Sequence, residues 1–473
     1  MSTICSSNLT SGFIDLATYD EQEKYLYGGP DAVAYFVREI RKATWFTQVP
    51  VCLSSRSGQA GFGQQWSVSI SRAGDYLLHT WLRLNLNPVA AKTVNNQIGA
   101  GNKIIRWTRN FMHNLISECA ITFNDLVAAR FDNYHLDFWS AFTVPAGKRT
   151  GYNNMIGNTD ELTNPCAIAY PVGAAQVLPA ATLNLPLPFF YSRDSGIALP
   201  TAALPYNEMR INFAFRSLSD LMTVDTVVNV NQTVGWTSAP VNPSVDLLNA
   251  DPNQIMNNVN VWANYAIVSN DERKKMACAP RDILIEQVQT APVQNFNPVT
   301  AGAVDIRFSH SIKALFWACR NKTIPSSWSN YTTDQHLPLG PIDGVNGNNA
   351  LFGVVDYQAG LDPISNTSLI YENTQRIYQM GSDYFALVNP WFHAPVIPLE
   401  TGYHLYSYSL DFFAIDPMGS TNYGKLTNVS IIPAASDAAI ASSAVNAKYD
   451  FITTALNNNI IRISGGALGF PVL

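Results

Sequence analysis

The feature that most constrains this chain is a run of strand-forming segments that occurs twice. "ISECAITFND" (116–125) is paralleled by "ISNTSLIYEN" (364–373), with Ile121 and Phe123 matched by Leu369 and Tyr371. Each copy is followed by an aromatic-rich segment, "YHLDFW" in the first and "SDYFAL" in the second. Met209, Ile211 and Phe213 are then paralleled by Val429 and Ile431, and "VWANYAIVS" and "YDFITTAL" close the two runs in the same order. A spacing of about 190 to 250 residues means domain duplication, not a short solenoid repeat. At 473 residues the chain also exceeds the size at which a single core stops growing, so two domains of ordinary size are expected.

The stretch between the copies, "NYAIVSNDERKKMACAPRDILIEQVQT" (264–290), reads as strand, short helix, strand. Asn264 to Val268 is β-branched and aromatic, as a buried strand should be. Ser269 stands three residues before Glu272, a capping box from which Asp271 to Met276 starts a helix with acid at its positive end. Pro280 stops that helix, and from Asp282 to Gln289 the pattern alternates, Ile283 and Ile285 on one face and Leu284 and Val288 on the other. The expected division is an N-terminal arm (1–30), a first domain (31–269), a helical joint (270–280) and a second domain (281–473).

Within the arm, Thr18 and Glu21 suggest a second capping box, and Gly28-Gly29 closes a helix of barely two turns, too short to stand alone. Trp66, Val68 and Ile70 alternate with serines, the turn "RAGD" follows, and Leu78, Leu82, Leu84 and Leu86 carry one face of the next strand, which suggests a half-buried antiparallel hairpin. Tyr134, Phe138 and Phe142 lie on one face of a helix and are expected to cap a core, although stacking on sugars or bases is the alternative for such an aromatic run. Many short strands with turn residues every ten or so positions favour all-β sandwiches. The stretches 144–180, 217–259 and 323–350 read as long irregular connections.

These segments carry a resemblance. "SGFIDLATYDEQEKYLYGG" (11–29), "ATWFTQVPV" (43–51), "WSVSISRAGDYLL" (66–78), "ITFNDLVAARFDNYHLDFW" (121–139), "LPTAALPYNEMRINF" (199–213), "NPWFHAP" (389–395), "DPMGSTNYGKLTN" (416–428) and "NNNIIRISGGALGFPVL" (457–473), with the "DERKKM" joint, resemble the major capsid proteins of iridoviruses, most nearly those of invertebrate iridescent viruses. The resemblance runs essentially end to end. It implies two tandem eight-stranded jelly-roll sandwiches with short helices and long loops. It also implies a homotrimer with a pseudo-hexagonal outline, tiling of an icosahedral virion capsid assembled in host cytoplasm, and a separate vertex (penton) protein, minor capsid proteins and an internal lipid membrane as partners. Ser269, Glu272, Arg273, Lys274 and Gln287 would form the interdomain joint, and Arg38, Arg41, Lys42 and Lys275 are the basic candidates to face anionic headgroups, against a solvated or ion-paired surface.

Composition agrees with such a role and excludes others. Charged residues make up 14% of the chain, against about 25% in an average soluble protein, while hydrophobic residues reach 47%. That balance suits a β-rich protein with much surface covered by partners. A formal net charge of −6, with no basic run longer than Arg273-Lys274-Lys275, argues against direct nucleic-acid binding. No secretory signal is visible in "MSTICSSNLTSG", and Pro179, Pro186 and Pro188 break the longest apolar stretch, so no spanning helix is expected. Cys5, Cys52, Cys119, Cys166, Cys278 and Cys319 lack CxxC spacing and read as reduced thiols, and the six sequons, at Asn8, Asn231, Asn321, Asn330, Asn366 and Asn428, read as unmodified.

Chemistry is sparse. The chain has no HExxH, GxSxG or GxxxxGK[ST] motif, and "GAGNK" (99–103) lacks the Ser or Thr that would follow Lys103 in a phosphate loop. His113 with Cys119, or His135 with Asp137, falls short of a four-ligand metal set. No enzyme, cofactor or metal is expected. The rival reading from another class is a carbohydrate-binding, lectin-like β-sandwich, since a fold does not determine its function.

Overall fold

The computed structural model describes residues 2–94, 103–165, 175–230, 233–248, 251–300, 302–336 and 360–470. The chain divides into two compact units, Met1–Trp45 and Phe46–Leu473, so the arm unit extends past residue 30. In the first unit, helix α1 (Ser2–Ala17) is followed by α2 (Glu21–Leu26). The second helix starts from Asp20, whose N–H donates to Glu23 at 3.2 Å. The capping box therefore lies two residues beyond Thr18, whose hydroxyl instead turns back to the Asp15 carbonyl at 2.7 Å and finishes α1.

In the second unit, sixteen of the described strands make two sandwiches of eight. Those of the first are β1 (Phe46–Cys52), β2 (Gln65–Ser69), β3 (Tyr76–Leu86), β4 (Ile116–Phe123), β5 (Leu126–Phe131), β6 (Ala181–Pro186), β7 (Met209–Phe215) and β8 (Met256–Val268). Their sheets run β1-β8-β3-β6 and β2-β7-β4-β5. The second sandwich has β9 (Arg281–Thr290), β10 (Val304–Asp305), β11 (Ser311–Asn321), β12 (Ile364–Tyr371), β13 (Thr374–Gly381), β14 (His404–Ser407), β15 (Val429–Ala435) and β16 (Tyr449–Ser464). Their sheets run β9-β16-β11-β14 and β10-β15-β12-β13, the same wiring. This is the jelly roll, twice.

The duplication holds residue by residue. Both β4–β5 and β12–β13 turn through two residues of positive φ, Asn124-Asp125 and Glu372-Asn373, the backbone that a two-residue hairpin with native twist demands. Phe123 pairs with Met209 and Ile121 with Ile211 in the first copy; Tyr371 pairs with Val429 and Leu369 with Ile431 in the second. Ile211 and Ile431 are each 1% exposed or less, in separate hydrophobic cores.

The hairpin expected from Trp66 to Leu86 is not one. Strand β2 pairs with β7, whereas β3 pairs with β8 and β6, so the two lie in opposite sheets and face each other across the core. Alternation states which face is apolar but not which strand is the neighbour. Leu82, Leu84 and Leu86 do point into the core, but Leu78 does not: β3 bulges there, pairing passes from His79 directly to Leu77, and Leu77 takes the inward place.

The stretches read as irregular are partly built. Residues 144–180 hold helices Ala146–Ile156 and Asp160–Thr163, and within 217–259 a hairpin of Met222–Val230 and Thr233–Pro240 adds Lys103–Trp107 as a third strand. The remaining GAGNK residues, 99–102, and residues 337–350 lie outside the described residues. Among the described residues, no helix is long and apolar enough to cross a membrane.

Candidate functional site: the seam between the sandwiches

A helix after β5 begins the seam. Helix α3 (Asn133–Thr143) is started by Asp132, whose carboxylate accepts from the His135 N–H at 2.9 Å. Its aromatic face does cap a core, though not that of its own sandwich alone. Leu136 plugs the first core, while Tyr134, Phe138, Ala141 and Phe142 join Ala314, Phe316, Leu405, Ile452 and Leu456 on the outer face of the β9-β16-β11-β14 sheet. Phe138 and Phe142 stand 5.9 and 5.5 Å from the Phe316 ring. This is a third hydrophobic core, shared between the domains, in which each fully buried aromatic contributes about 1.5–3 kcal/mol of transfer free energy.

Polar groups weld the same seam. The buried Asp137 carboxylate accepts from Tyr331 and Ser329 hydroxyls at 2.8 Å each and from Asn110 at 3.2 Å, and bonds the His113 Nδ1 at 2.7 Å. The other His113 ring nitrogen meets the Tyr152 hydroxyl at 2.6 Å, which accounts for both nitrogens without a metal. Among the described residues no cluster of metal-ligand type is found. Arg216 of the first sandwich and Arg320 of the second lie on opposite sides of the seam, both 3.8 Å from the Trp328 ring centre. Lower down, Glu286 of β9 pairs with Arg193 of the first sandwich and with Lys313 of β11, whose ammonium also donates to the Ala414 carbonyl at 2.6 Å. Burial pulls the Arg193 guanidinium below its usual range, and Glu286 opposes that pull. Arg109 and Glu400 form a further ion pair across the domains.

The joint residues are placed as follows. Ser269 occupies the N-cap of helix α4 (Asn270–Cys278), but its side chain makes no capping bond, and one Glu272 carboxylate oxygen is buried without a partner. The anticipated capping box is therefore not formed. Arg273 does more than was expected of it: it holds Asp75, in the turn before β3, through two bonds of 2.8 and 2.9 Å, and Asp75 also accepts the Val268 N–H at 2.9 Å. Burial pushes the Asp75 carboxyl up, yet Arg273 and the Val268 N–H together hold it below the ordinary value. Gln287 donates to the Ala128 carbonyl of β5 at 2.7 Å and accepts from Asn459 at 3.0 Å, so β9 reaches the first sandwich. Lys274 and Lys275 are exposed on α4, and Arg38, Arg41 and Lys42 are exposed in the arm unit. The Asp137 hub had no local signal, since its partners lie up to 194 residues away.

The seam joins the two sandwiches in one compact unit, and comparison with known proteins identifies the family. The family model for the large eukaryotic DNA virus major capsid protein matches residues 272–469, and that for the major capsid protein N-terminus matches 34–268. The major capsid proteins of Costelytra zealandica iridescent virus and Invertebrate iridescent virus 6 are each 59% identical over all of this chain and all of theirs. The chain belongs to the iridovirus major capsid protein family. It is a structural protein of the virion capsid. A chain of the PBCV-1 virus capsid covers 93% of it with a TM-score of 0.68 at 21% identity, and the Faustovirus major capsid protein covers 92% with a TM-score of 0.67 at 12% identity. These last show the shared double jelly-roll fold.

Proposed function

We propose that three copies of this chain close into a capsomer whose six sandwiches give a pseudo-hexagonal outline, and that these capsomers tile an icosahedral shell. The observation that carries the reading is the pairing of two identically wired sandwiches in one chain across a shared core. A cyclic trimer closes upon itself, and duplication gives it six similar edges, which is what a hexagonal lattice requires. The work is done by buried interface and not by catalysis. The helical joint at 270–280, with Ser269, Glu272, Arg273, Lys274 and Gln287 around it, helps to set the angle between the halves. Vertex and minor capsid proteins complete the shell, which assembles in host cytoplasm; Arg38, Arg41, Lys42 and Lys275 face the headgroups of an internal membrane, and DNA is enclosed without direct contact. Native mass spectrometry of protein released from virions is expected to give three times the 52.0 kDa chain mass. A monodisperse monomer at micromolar concentration would overturn the trimer.

A further inference from the structure

The two sandwiches can be superposed in register from their own irregularities. Strand β3 skips a pairing at Leu78 and β11 skips one at Lys313, in each case the third residue of the strand. Aligned on these bulges, Trp81 is the counterpart of Phe316 and Arg83 that of Ala318. Pro186, paired with Trp81, is the counterpart of Leu405, paired with Phe316. The helices align as well. Leu136 of α3 plugs the first core, and Phe385, in the helical turn Tyr384–Val388 that runs into helix α5 (Asn389–His393), plugs the second. Counted along the chain from these anchors, Phe138 and Phe142 fall at Leu387 and Trp391; Tyr384–Val388 is a π-helical turn, so the match is one of position along the helix and not of angle around it.

The correspondence exposes an imbalance. Phe138 and Phe142 are fully buried against Phe316, but Leu387 is 52% exposed and Trp391 70%. The outer face of the first sandwich is only partly covered, with Trp81 and Trp262 half-buried and this chain's own Trp139, Thr143 and Phe413 along one side. Trp81 and Trp262 stack there at 6.4 Å, beside a hollow of about 630 Å³ lined by Trp81, Pro186 and Trp139, among others. Among the described residues, the contact that Phe138 and Phe142 make on the second sandwich is therefore matched by an exposed pair, Leu387 and Trp391, and by a partly exposed apolar face at Trp81 and Trp262.

We propose that Leu387 and Trp391 of one chain dock on the outer face of the first sandwich of a second copy, against Trp81, Trp262 and Pro186, repeating between chains the contact that Phe138 and Phe142 make within one. This deepens the trimer reading and rests on it: three internal and three intermolecular junctions of one kind close a six-sandwich ring. The occupant is a second copy because the exposed pair and the apolar face are both present on every chain, at positions corresponding to the contact made within it. Exposed aromatics around a hollow are also the anchors that dominate interface energetics.

The test uses the full chain. Trp391→Glu is expected to leave the monomer's circular dichroism and unfolding midpoint unchanged, since the side chain is mostly exposed, and to abolish the trimer at micromolar concentration by native mass spectrometry. Leu387→Glu is expected to act in the same direction. In a Trp81→Cys, Trp391→Cys double variant, mild oxidation is expected to give chain-to-chain disulfides and a covalent trimer on non-reducing gels, absent from either single variant. A trimer that survives Trp391→Glu and shows no 81–391 crosslink overturns the inference and leaves the trimer reading standing, with the hollow assigned to another occupant. A wild-type chain that stays monomeric overturns both.

Discussion

The two sandwiches share wiring, register and even the position of a bulge, yet their outer faces are made differently. In the second, the strand that meets helix α3 presents Ala314, Phe316 and Ala318. In the first, the corresponding positions of β3 are His79, Trp81 and Arg83, of which His79 and Arg83 are exposed. Two alanines beside a phenylalanine let a helix lie close and stay, because there is no polar group to desolvate. A tryptophan flanked by histidine and arginine keeps apolar area for a partner while remaining compatible with water before that partner arrives. The difference separates a face covered from the moment of folding from one that meets water first. Duplication thus conserved the frame and left the outer face to be chosen by what covers it.

The sharpest way to break this comparison is to truncate corresponding residues. Phe138→Ala empties a fully buried site in the shared core and is expected to cost about 3–5 kcal/mol in guanidinium unfolding. Leu387→Ala, at the corresponding but exposed place, is expected to change the monomer's stability by less than about 0.5 kcal/mol. Equal costs would show that the two helices do not differ as described. The Asp137 hub gives the next largest effect. Asp137→Asn keeps the shape but puts an amide N–H2 in place of one acceptor oxygen, so either Ser329 and Tyr331 or Asn110 and His113 lose the oxygen they bond. A loss of about 2–4 kcal/mol is expected, measured by the same unfolding, because buried polar groups left unpaired pay their full desolvation. The corresponding residue of the second helix is Ala386, and Ala386→Asp is expected to be tolerated.

How much of this was legible in the sequence depends on the range of the interaction. The duplication was readable because local chemistry repeats: a period-two strand, a two-residue turn, then an aromatic segment, as in Ile121 to Asp125 and Leu369 to Asn373. The aromatic face of α3 was readable from its helical spacing, and its role as a core cap followed. What it capped was not, since Phe316, Leu405 and Ile452 come from strands of another domain and look like ordinary strand residues. The β2–β3 hairpin that the pattern predicts does not form, because two strands separated by a short turn have the same pattern whether they pair or face each other across a sandwich. The bulge at Leu78 left no mark in composition, and neither did the preference of Asp20 over Thr18 as a helix start. Asp137, Ser329 and Tyr331 are each unremarkable residues that become a hub only when folding brings the domains together.

Acid sharpens the comparison through a residue found on one side only. His135 of α3 is 1% exposed, its Nδ1 has no hydrogen-bond partner, and burial, helped by the nearby positive charge of Arg193, lowers its pKa from 6.5 to about 3. The corresponding residue of the second helix is Tyr384. Below pH 6.5 the unfolded chain takes up a proton at this histidine and the folded chain does not, so stability is complete above that pH and falls as the pH drops toward about 3. The slope for one such group is about 1.4 kcal/mol per pH unit. His336, lowered to about 3 by burial and by Arg109 and Arg106, adds a second contribution of the same sign. His135→Phe is expected to flatten the acid limb of stability against pH by the share of one histidine. An unchanged limb would mean that His135 is solvated in the folded chain.

The smallest expected effect lies at the joint, and it separates two accounts of what sets the angle between the sandwiches. An N-cap serine that bonds its helix is worth about 1 kcal/mol, and a capping box would make Ser269 and Glu272 the determinants of where α4 begins. Here Ser269 makes no such bond and Glu272 leaves one buried oxygen unpaired, whereas the seam offers a shared hydrophobic core, the Asp137 hub and the Glu286 ion pairs. Ser269→Ala is therefore expected to shift unfolding by less than about 0.5 kcal/mol and to leave trimer and particle formation as in the wild type. Arg273→Ala tests the contact by which helix α4 itself reaches the first sandwich, the paired bonds to Asp75. With Arg273 half exposed, solvent screens that pair, so a modest loss confined to pH values above the depressed Asp75 pKa is expected, and it should vanish in acid, where the Asp75 carboxyl is protonated in both variants. Misassembled particles from Ser269→Ala, with both cores intact by circular dichroism, would return control of the angle to the joint and reduce the seam to packing that follows it.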